Sequence, residues 1–228
     1  LKSTIESLRL AFTTLDDNRE FNFAKISSAD NTIVGVESGS GVATAGNHSV
    51  IISALAQQEI RQSDAASSKS ADQNSNSAAD FVFTVNSSQY TVSLSAGEVS
   101  LNNLASGIND ITSTTGVSAR VVTTATDQYR LLLEGQSGST NAITIDTSIL
   151  GLGTTSNKLQ SVQDASFTVN GLAITSSTNK ITDVIPGVSL NLSATTNSAV
   201  NVNITRDMDL AKETIKTDRK STRLNSSH

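Results

Sequence analysis

The sequence predicts a mainly β, α+β fold in which β-rich units are inserted between two parts of a helical segment. Three observations predict it. Apolar residues alternate with Ser, Thr and Asn through most of the chain. Turn dipeptides, above all Asn170-Gly171 and Pro186-Gly187, separate the alternating runs. Helical spacing is confined to the two ends and one internal stretch.

Leu1, Ile5, Leu8, Phe12 and Leu15 are spaced four, three, four and three, an a/d seam. Such a seam fits a helical bundle or an ordinary amphipathic helix; the shortage of partner helices in this chain favours a truncated bundle. Asp16-Asp17-Asn18 ends it. From Phe21 the pattern is that of strands. Ile33, Val34 and Val36 form a short one, Gly39–Gly46 reads as a turn-rich link, and Val50–Leu55 places Val50 and Ile52 on one face. Ser63–Asp80 is low in complexity and reads as an exposed loop or linker.

The next stretch, Asp80–Gly151, reads as a β-β-α-β-β unit. Phe83 and Val85 alternate, Asn86–Ser88 turns the chain, and Tyr90, Val92 and Leu94 alternate again. Ser100 is a helix N-cap candidate before Leu101, Leu104, Ile108 and Ile111. Val117–Thr123 and Tyr129–Glu134 form a second hairpin, followed by Ile143 and Ile145 in a short strand. Phe83-Thr84-Val85-Asn86 recurs as Phe167-Thr168-Val169-Asn170, and both open a hairpin.

Asn170-Gly171 suits a type I′ turn, which needs positive φ at both central positions. It would set Val169 opposite Leu172 and Phe167 opposite Ile174, all on one face. Asn179–Asp183 reads as an irregular link. Pro186, the only proline, with Gly187 suits a type II turn. Val188, Leu190 and Leu192 then alternate with Ser189, Asn191 and Ser193, a strand with one buried and one wet face. After Val200, Val202 and Ile204 the spacing turns helical, with Asp207 as a cap before Met208, Ala211 and Ile215.

Composition excludes several functions. The formal charge of −5 and scattered Lys and Arg give no basis for nucleic-acid binding. The 228 residues contain no cysteine, so disulfides, thiolate metal sites and cysteine nucleophiles are out. No apolar run approaches the ~20 residues of a membrane-spanning helix. The chain starts at Leu1 rather than Met, and the N-terminus of the protein is expected upstream. Asp218–His228 reads like a translated sequencing-library adapter; it carries +2, leaving −7 on the rest.

No residue is assigned a catalytic, cofactor-binding or metal-binding role. His48 is the only histidine outside the tail, and a lone histidine in a strand reads as a packing residue without a positioned partner. Ser177 and Lys180 match Ser-x-x-Lys, which chance explains in a Ser-rich chain. Asp16-Asp17 reads as a helix stop, and Gly39-Ser40-Gly41 lacks the phosphate-loop lysine. The Asn-x-Ser/Thr triplets at Asn47, Asn86, Asn191 and Asn203 read as accidental. No EF-hand spacing is present. Aromatics, at 4%, are too few for a polysaccharide-active cleft.

Several segments resemble the bacterial flagellar hook-associated protein 2 family of filament cap proteins. Leu55-Ala56 after the Val50–Ile52 strand is similar to its N-terminal region. Gly107-Ile108-Asn109, Gly116-Val117-Ser118-Ala119 and Tyr129-Arg130-Leu131-Leu132-Leu133 are similar to the flagellin hook IN motif. Asp164–Leu192 is similar to the start of the C-terminal region. The chain departs from the family in the Ser63–Asp80 linker and at His48, where a tyrosine is often found.

The resemblance implies β-rich head domains inserted between parts of a helical leg. Its expected layout is a leg stub at 1–20, a first head domain from 21–66 and 162–205, a second at 80–160, a returning leg helix at 206–217, and a non-native tail at 218–228. It implies a structural role at the extracellular tip of the flagellum: a ring of cap subunits, legs on the filament, and flagellin guided beneath a plate of heads. Expected partners are flagellin, the filament tip and further copies of the chain, with host-surface glycans or mucin for an adhesive head. No enzyme activity, cofactor, nucleic acid or membrane is implied. The alternative is a modular β-rich bacterial surface adhesin.

Overall fold

A computed structural model describes residues 24–147 and 149–207. The expected leg stub at 1–20 with Asp16-Asp17, the returning helix from Met208 onward and the adapter-like tail lie outside them; Arg206, expected to open that helix, instead ends a strand. Strand makes up 50% of the structure and helix 11%, so the fold is mainly β, as the alternating pattern requires. The chain divides into two compact units.

The first unit comprises, within the described residues, 24–53, 167–174 and 179–207. Its strands are β1 (Ala24–Ser28), β2 (Val34–Ser38) and β3 (Gly46–Ala54) from the first part of the chain. The later part supplies β11 (Ala165–Val169), β12 (Leu172–Ser176), β13 (Lys180–Ile185), β14 (Val188–Leu192) and β15 (Val200–Arg206). Two sheets result, one in the order β1-β15-β3-β11-β12, the other β13-β14-β2. Buried residues come from both: Val50, Ile52, Phe167 and Val202 from the first, Val34, Ile185 and Leu190 from the second.

The Asn170-Gly171 turn forms as its chemistry requires, with φ of 51° and 82°. Phe167 and Val169 are buried, but Leu172 is 69% exposed. The four-residue apolar face expected of this hairpin therefore stops short at the edge strand, which has no neighbour on its far side among the described residues. The expected irregular link at Asn179–Asp183 is instead most of β13. A register shift between Ile181 and Ile185 and a φ of 66° at Asp183 mark a bulge. The bulge breaks the two-residue period that identifies a strand. Pro186-Gly187 joins Ile185 to Val188 in a tight turn, with Gly187 at φ 73°. The wet face expected of β14 is wet only in part: Ser189 is buried, Asn191 is half-buried and Ser193 is exposed.

The second unit comprises 54–166 and 175–178. Its strands are β4 (Gln58–Gln62), β5 (Ala79–Val85), β6 (Ser88–Leu94), β7 (Ser118–Ala125), β8 (Gln128–Ser137), β9 (Thr144–Ile145) and β10 (Lys158–Gln160). One sheet has the order β10-β4-β8-β7, the other β6-β5-β9. Helix α1 (Leu101–Asp110) packs against β6, β7 and β8 through Leu101, Leu104, Ala105 and Ile108. Ser100 caps it, its hydroxyl accepting from Asn103 N at 3.2 Å. Phe81 stacks on Phe83 at 5.3 Å between centroids, and Phe83 meets its cross-strand partner Tyr90 at 5.8 Å.

The β5–β6 turn places Asn86 and Ser87 at φ 50° and 61°, the same type of turn as at Asn170. The recurring Phe-Thr-Val-Asn thus encodes one local geometry twice. The Ser63–Asp80 segment is mostly exposed loop, as expected, but its first residues are tied into the core. Ser63 is buried and extends β4, its N–H donating to Leu131 O at 2.8 Å and its hydroxyl accepting from Leu131 N at 2.8 Å. Ala66 joins the core and bridges to Tyr129.

Gly107 shows how closely α1 lies on its sheet. A Cβ there would stand 2.4 Å from Val92 Cγ1. Alanine in an open helix gains about 1 kcal/mol over glycine, but overpacking against a stiff valine costs ~1–3 kcal/mol. Gly107→Ala should therefore lower the urea midpoint of unfolding despite its better helix propensity; a raised midpoint would contradict this packing.

Candidate functional site

The most concentrated polar assembly among the described residues is a buried ionic cluster in the second unit. Strand β4 reads Gln-Glu-Ile-Arg-Gln, and its pleat turns Glu59 and Arg61 inward while Ile60 faces out. Glu59 is fully buried. Its Oε1 lies 2.6 Å from Arg61 Nε and 3.2 Å from Lys158 Nζ, and its Oε2 accepts from Ile143 N at 3.1 Å. Arg61 Nη2 donates to Ile143 O at 3.1 Å and Nη1 to Leu152 O at 3.3 Å. The cluster ties β4 to β10 and to the segment between them. Two cations on one carboxylate, every oxygen engaged, make a fastener and leave no acid or base to act on a substrate.

A second organising carboxylate is Asp72. Its Oδ2 accepts from Asn74 N at 3.2 Å and Asn76 N at 2.6 Å, and its Oδ1 from Val99 N at 3.1 Å. Asp72, Asn74 and Asn76 alternate like the first ligands of a calcium loop, yet the carboxylate is committed to backbone N–H groups. Among the described residues no group of three or more His, Asp or Glu could hold a metal ion.

The sequence candidates do not converge. His48 sits on β3 opposite Val202, with Nδ1 3.1 Å from Asn170 Nδ2. Ser177 offers its carbonyl to Ser137 Oγ at 2.7 Å, while Lys180 Nζ pairs with Glu37 Oε2 at 3.1 Å. The Ser-x-x-Lys match therefore has no nucleophile–base contact behind it. Gly39 donates its N–H to Gly187 O at 2.9 Å, and Ser40 Oγ reaches Asp183 Oδ1 at 3.4 Å, so Gly39-Ser40-Gly41 braces the Pro186-Gly187 turn. Asn47 pairs in register with Asn203, Asn86 occupies its turn, and Asn191 Nδ2 donates to Glu37 Oε1 at 3.1 Å.

Surface carboxylates are held by specific donors. Lys180, by hydrogen bond and then by charge, holds Glu37 below the ordinary glutamate range, with Asn191 adding to it. Ser139, through hydroxyl and then backbone N–H, does the same for Asp164. A carboxylate with a lowered folded-state value stabilises the fold above its unfolded value, and that contribution fades as pH falls through the folded one. Glu37 is exposed and Asp164 only half-buried, so the effect on stability is small.

With the geometry in place, comparisons identify the family. The model of the flagellar hook-associated protein 2 N-terminus matches residues 1–59, and that of its C-terminus matches 162–217. The flagellin hook IN motif matches residues 80–136 between them. The chain belongs to the flagellar hook-associated protein 2 family. It is 31% identical over 137 residues to flagellar hook-associated protein 2 of Salmonella typhimurium, covering 55% of this chain and 29% of that relative. The chain thus spans under a third of that relative's length.

Its fold is similar to the D2–D3 domains of the flagellar cap protein FliD from Escherichia coli. The TM-score is 0.69 at 23% identity, over 82% of this chain and all of that one. The longer D1–D2–D3 structure from the same organism gives 0.76 at 24% identity, over 94% of this chain and 64% of that one. The hook-associated protein 2 resemblance read from the sequence is thereby confirmed, as is the mainly β fold.

Two tests follow from these contacts. Glu59→Ala would leave Arg61 unpaired in the interior and should cost about 3 kcal/mol in urea unfolding. Lys158→Met should cost far less, because the Lys158 side chain is 31% exposed and Arg61 still neutralises Glu59. Separately, Lys180→Met should raise the titration midpoint of Glu37 toward the ordinary value, followed by NMR of its carboxyl carbon; an unmoved midpoint would remove Lys180 as the cause.

Proposed function

We propose that this chain is the β-rich head portion of a bacterial flagellar filament cap protein, acting outside the cell at the filament tip. The observation that carries the reading is ordered bracketing: N-terminal, IN-motif and C-terminal matches of one family follow in sequence on one chain. Segments 1–20 and 206–217 belong to a helical leg in this reading, and 218–228 is foreign to it. The role is mechanical. The heads form part of a plate, legs engage the filament, and flagellin adds beneath. Partners are flagellin and further copies of the cap chain, and no covalent chemistry is performed.

The test uses the full-length protein that contains this chain. Supplied to a bacterium lacking its own cap protein, it should restore filaments and reduce unassembled flagellin in the medium. Export of the protein with flagellin still lost as monomers would refute the reading. On this reading the main assembly contacts lie in the leg, so the fragment Leu1–Thr217 should oligomerise weakly; a tight ring at about micromolar concentration in analytical ultracentrifugation would contradict that assignment of assembly contacts.

A further inference from the structure

The Asn170-Gly171 tip carries a contact pattern that the turn alone does not require. Asn170 N donates to Ser49 O at 2.9 Å, and Asn170 Oδ1 accepts from Ser49 N at 2.9 Å. The side-chain amide thus stands in for a backbone peptide and adds one rung to the β3–β11 pairing. Asn170 Nδ2 completes the clamp at 3.1 Å from His48 Nδ1. All of these residues belong to the first unit. Both Asn170 and Gly171 are solvent-exposed, and a Cβ at Gly171 would meet nothing within 4 Å. This is the only Asn-Gly step in the chain.

We propose that Asn170-Gly171 is a latent site of covalent self-modification, kept as the amide by the clamp from Ser49 and His48. In an unclamped chain the backbone nitrogen of Gly171 gives up its proton and bonds to Asn170 Cγ. The Cγ–Nδ2 bond breaks, and Nδ2 leaves with that proton as ammonia. The product is a five-membered succinimide. Water then adds at either carbonyl and opens the ring to aspartate or isoaspartate. No electron is gained or lost, and water is the only co-reactant. Glycine is the following residue that hinders this attack least, because no side chain shields its nitrogen.

Ring closure requires Cγ to swing over the Gly171 nitrogen. In the folded protein, Oδ1 is held by Ser49 N–H and Nδ2 by the imidazole, so Cγ cannot turn without breaking the clamp. Conversion therefore waits on opening of the tip, and its rate reads how often β11 lets go of β3 there. Modification would replace the neutral amide with a carboxylate or, as isoaspartate, lengthen the backbone within the turn. Either product loses the Nδ2 contact with His48.

The experiment follows isoaspartate and the amide-to-acid mass change in the tryptic peptide containing Asn170, at neutral pH over weeks. Full-length chain is compared folded and in concentrated guanidinium. Amide exchange of Asn170 in the folded sample is measured in parallel. The folded protein should convert more slowly by about tenfold or more, tracking the exchange protection of Asn170. His48→Ala should speed exchange and conversion together. Equal conversion in folded and unfolded wild type would overturn the proposal without reference to any variant. So would a His48→Ala protein that exchanges faster at Asn170 and converts no faster.

Discussion

A pair of reciprocal hydrogen bonds closes the second unit where it begins and ends. Gln57 N donates to Gln163 O at 2.9 Å, and Gln163 N donates to Gln57 O at 3.1 Å. Gln163 Nε2 adds a bond to Leu55 O at 2.8 Å, across 108 positions of sequence. The chain must come back to this point for β3 to lie beside β11 in the five-stranded sheet. Closing a long loop is less costly than intuition suggests, since each doubling of length adds only ~0.6 kcal/mol. The more demanding requirement is geometric: the ends must return in register. The Gln57–Gln163 bridge, with the Glu59–Arg61–Lys158 cluster one step further in, fixes that return.

This constraint explains which parts of the fold could be read in advance. Both Phe-Thr-Val-Asn hairpins were legible because their signal is local: asparagine tolerates positive φ, and the flanking alternation needs no distant partner. Helix α1 was legible for the same reason, through Ser100 and the Leu101, Leu104, Ile108 spacing. Strand β4 was not. Its alternation is intact, but its polarity is inverted, with Glu59 and Arg61 buried and Ile60 only half-buried on the other face. An inward Glu and Arg make sense only once Lys158 and the carbonyls of Ile143 and Leu152 are in place, and these arrive more than eighty positions later. The clue available was a Glu-x-Arg pair in a short alternating run, which marks a strand whose inward face pairs charges.

The other failures have comparable causes. β13 escaped notice because the bulge at Asp183 interrupts its period. The Ser63–Asp80 segment looked unable to bury anything because its composition is polar. It is ordered instead by polar contacts: Ser63 pairs with Leu131, Asp72 collects three backbone N–H groups, and Lys69 lies 5.0 Å from the Tyr129 ring centroid. Composition registers hydrophobic burial well and is blind to a loop whose order comes from one carboxylate satisfying its own backbone. For the candidate site, the sequence assigned no catalytic role to His48, Ser177 or Lys180, and it offered no sign of the Glu59 cluster.

The two Phe-Thr-Val-Asn hairpins also separate what local sequence decides from what the surroundings decide. In each, Phe and Val point into a core and Asn enters the turn at positive φ, so tetrapeptide and turn travel together. Beyond that, the two diverge. In the β5–β6 hairpin the strand beside β5 is the two-residue β9, which pairs with Phe83 and Thr84 and ends short of the turn. In the β11–β12 hairpin the neighbour is the nine-residue β3, long enough to run past the turn and present Ser49 and His48 to Asn170. The same asparagine thus closes a turn in one setting and ties a turn to a sheet in the other. The length of the adjacent strand, which no local motif encodes, makes that difference.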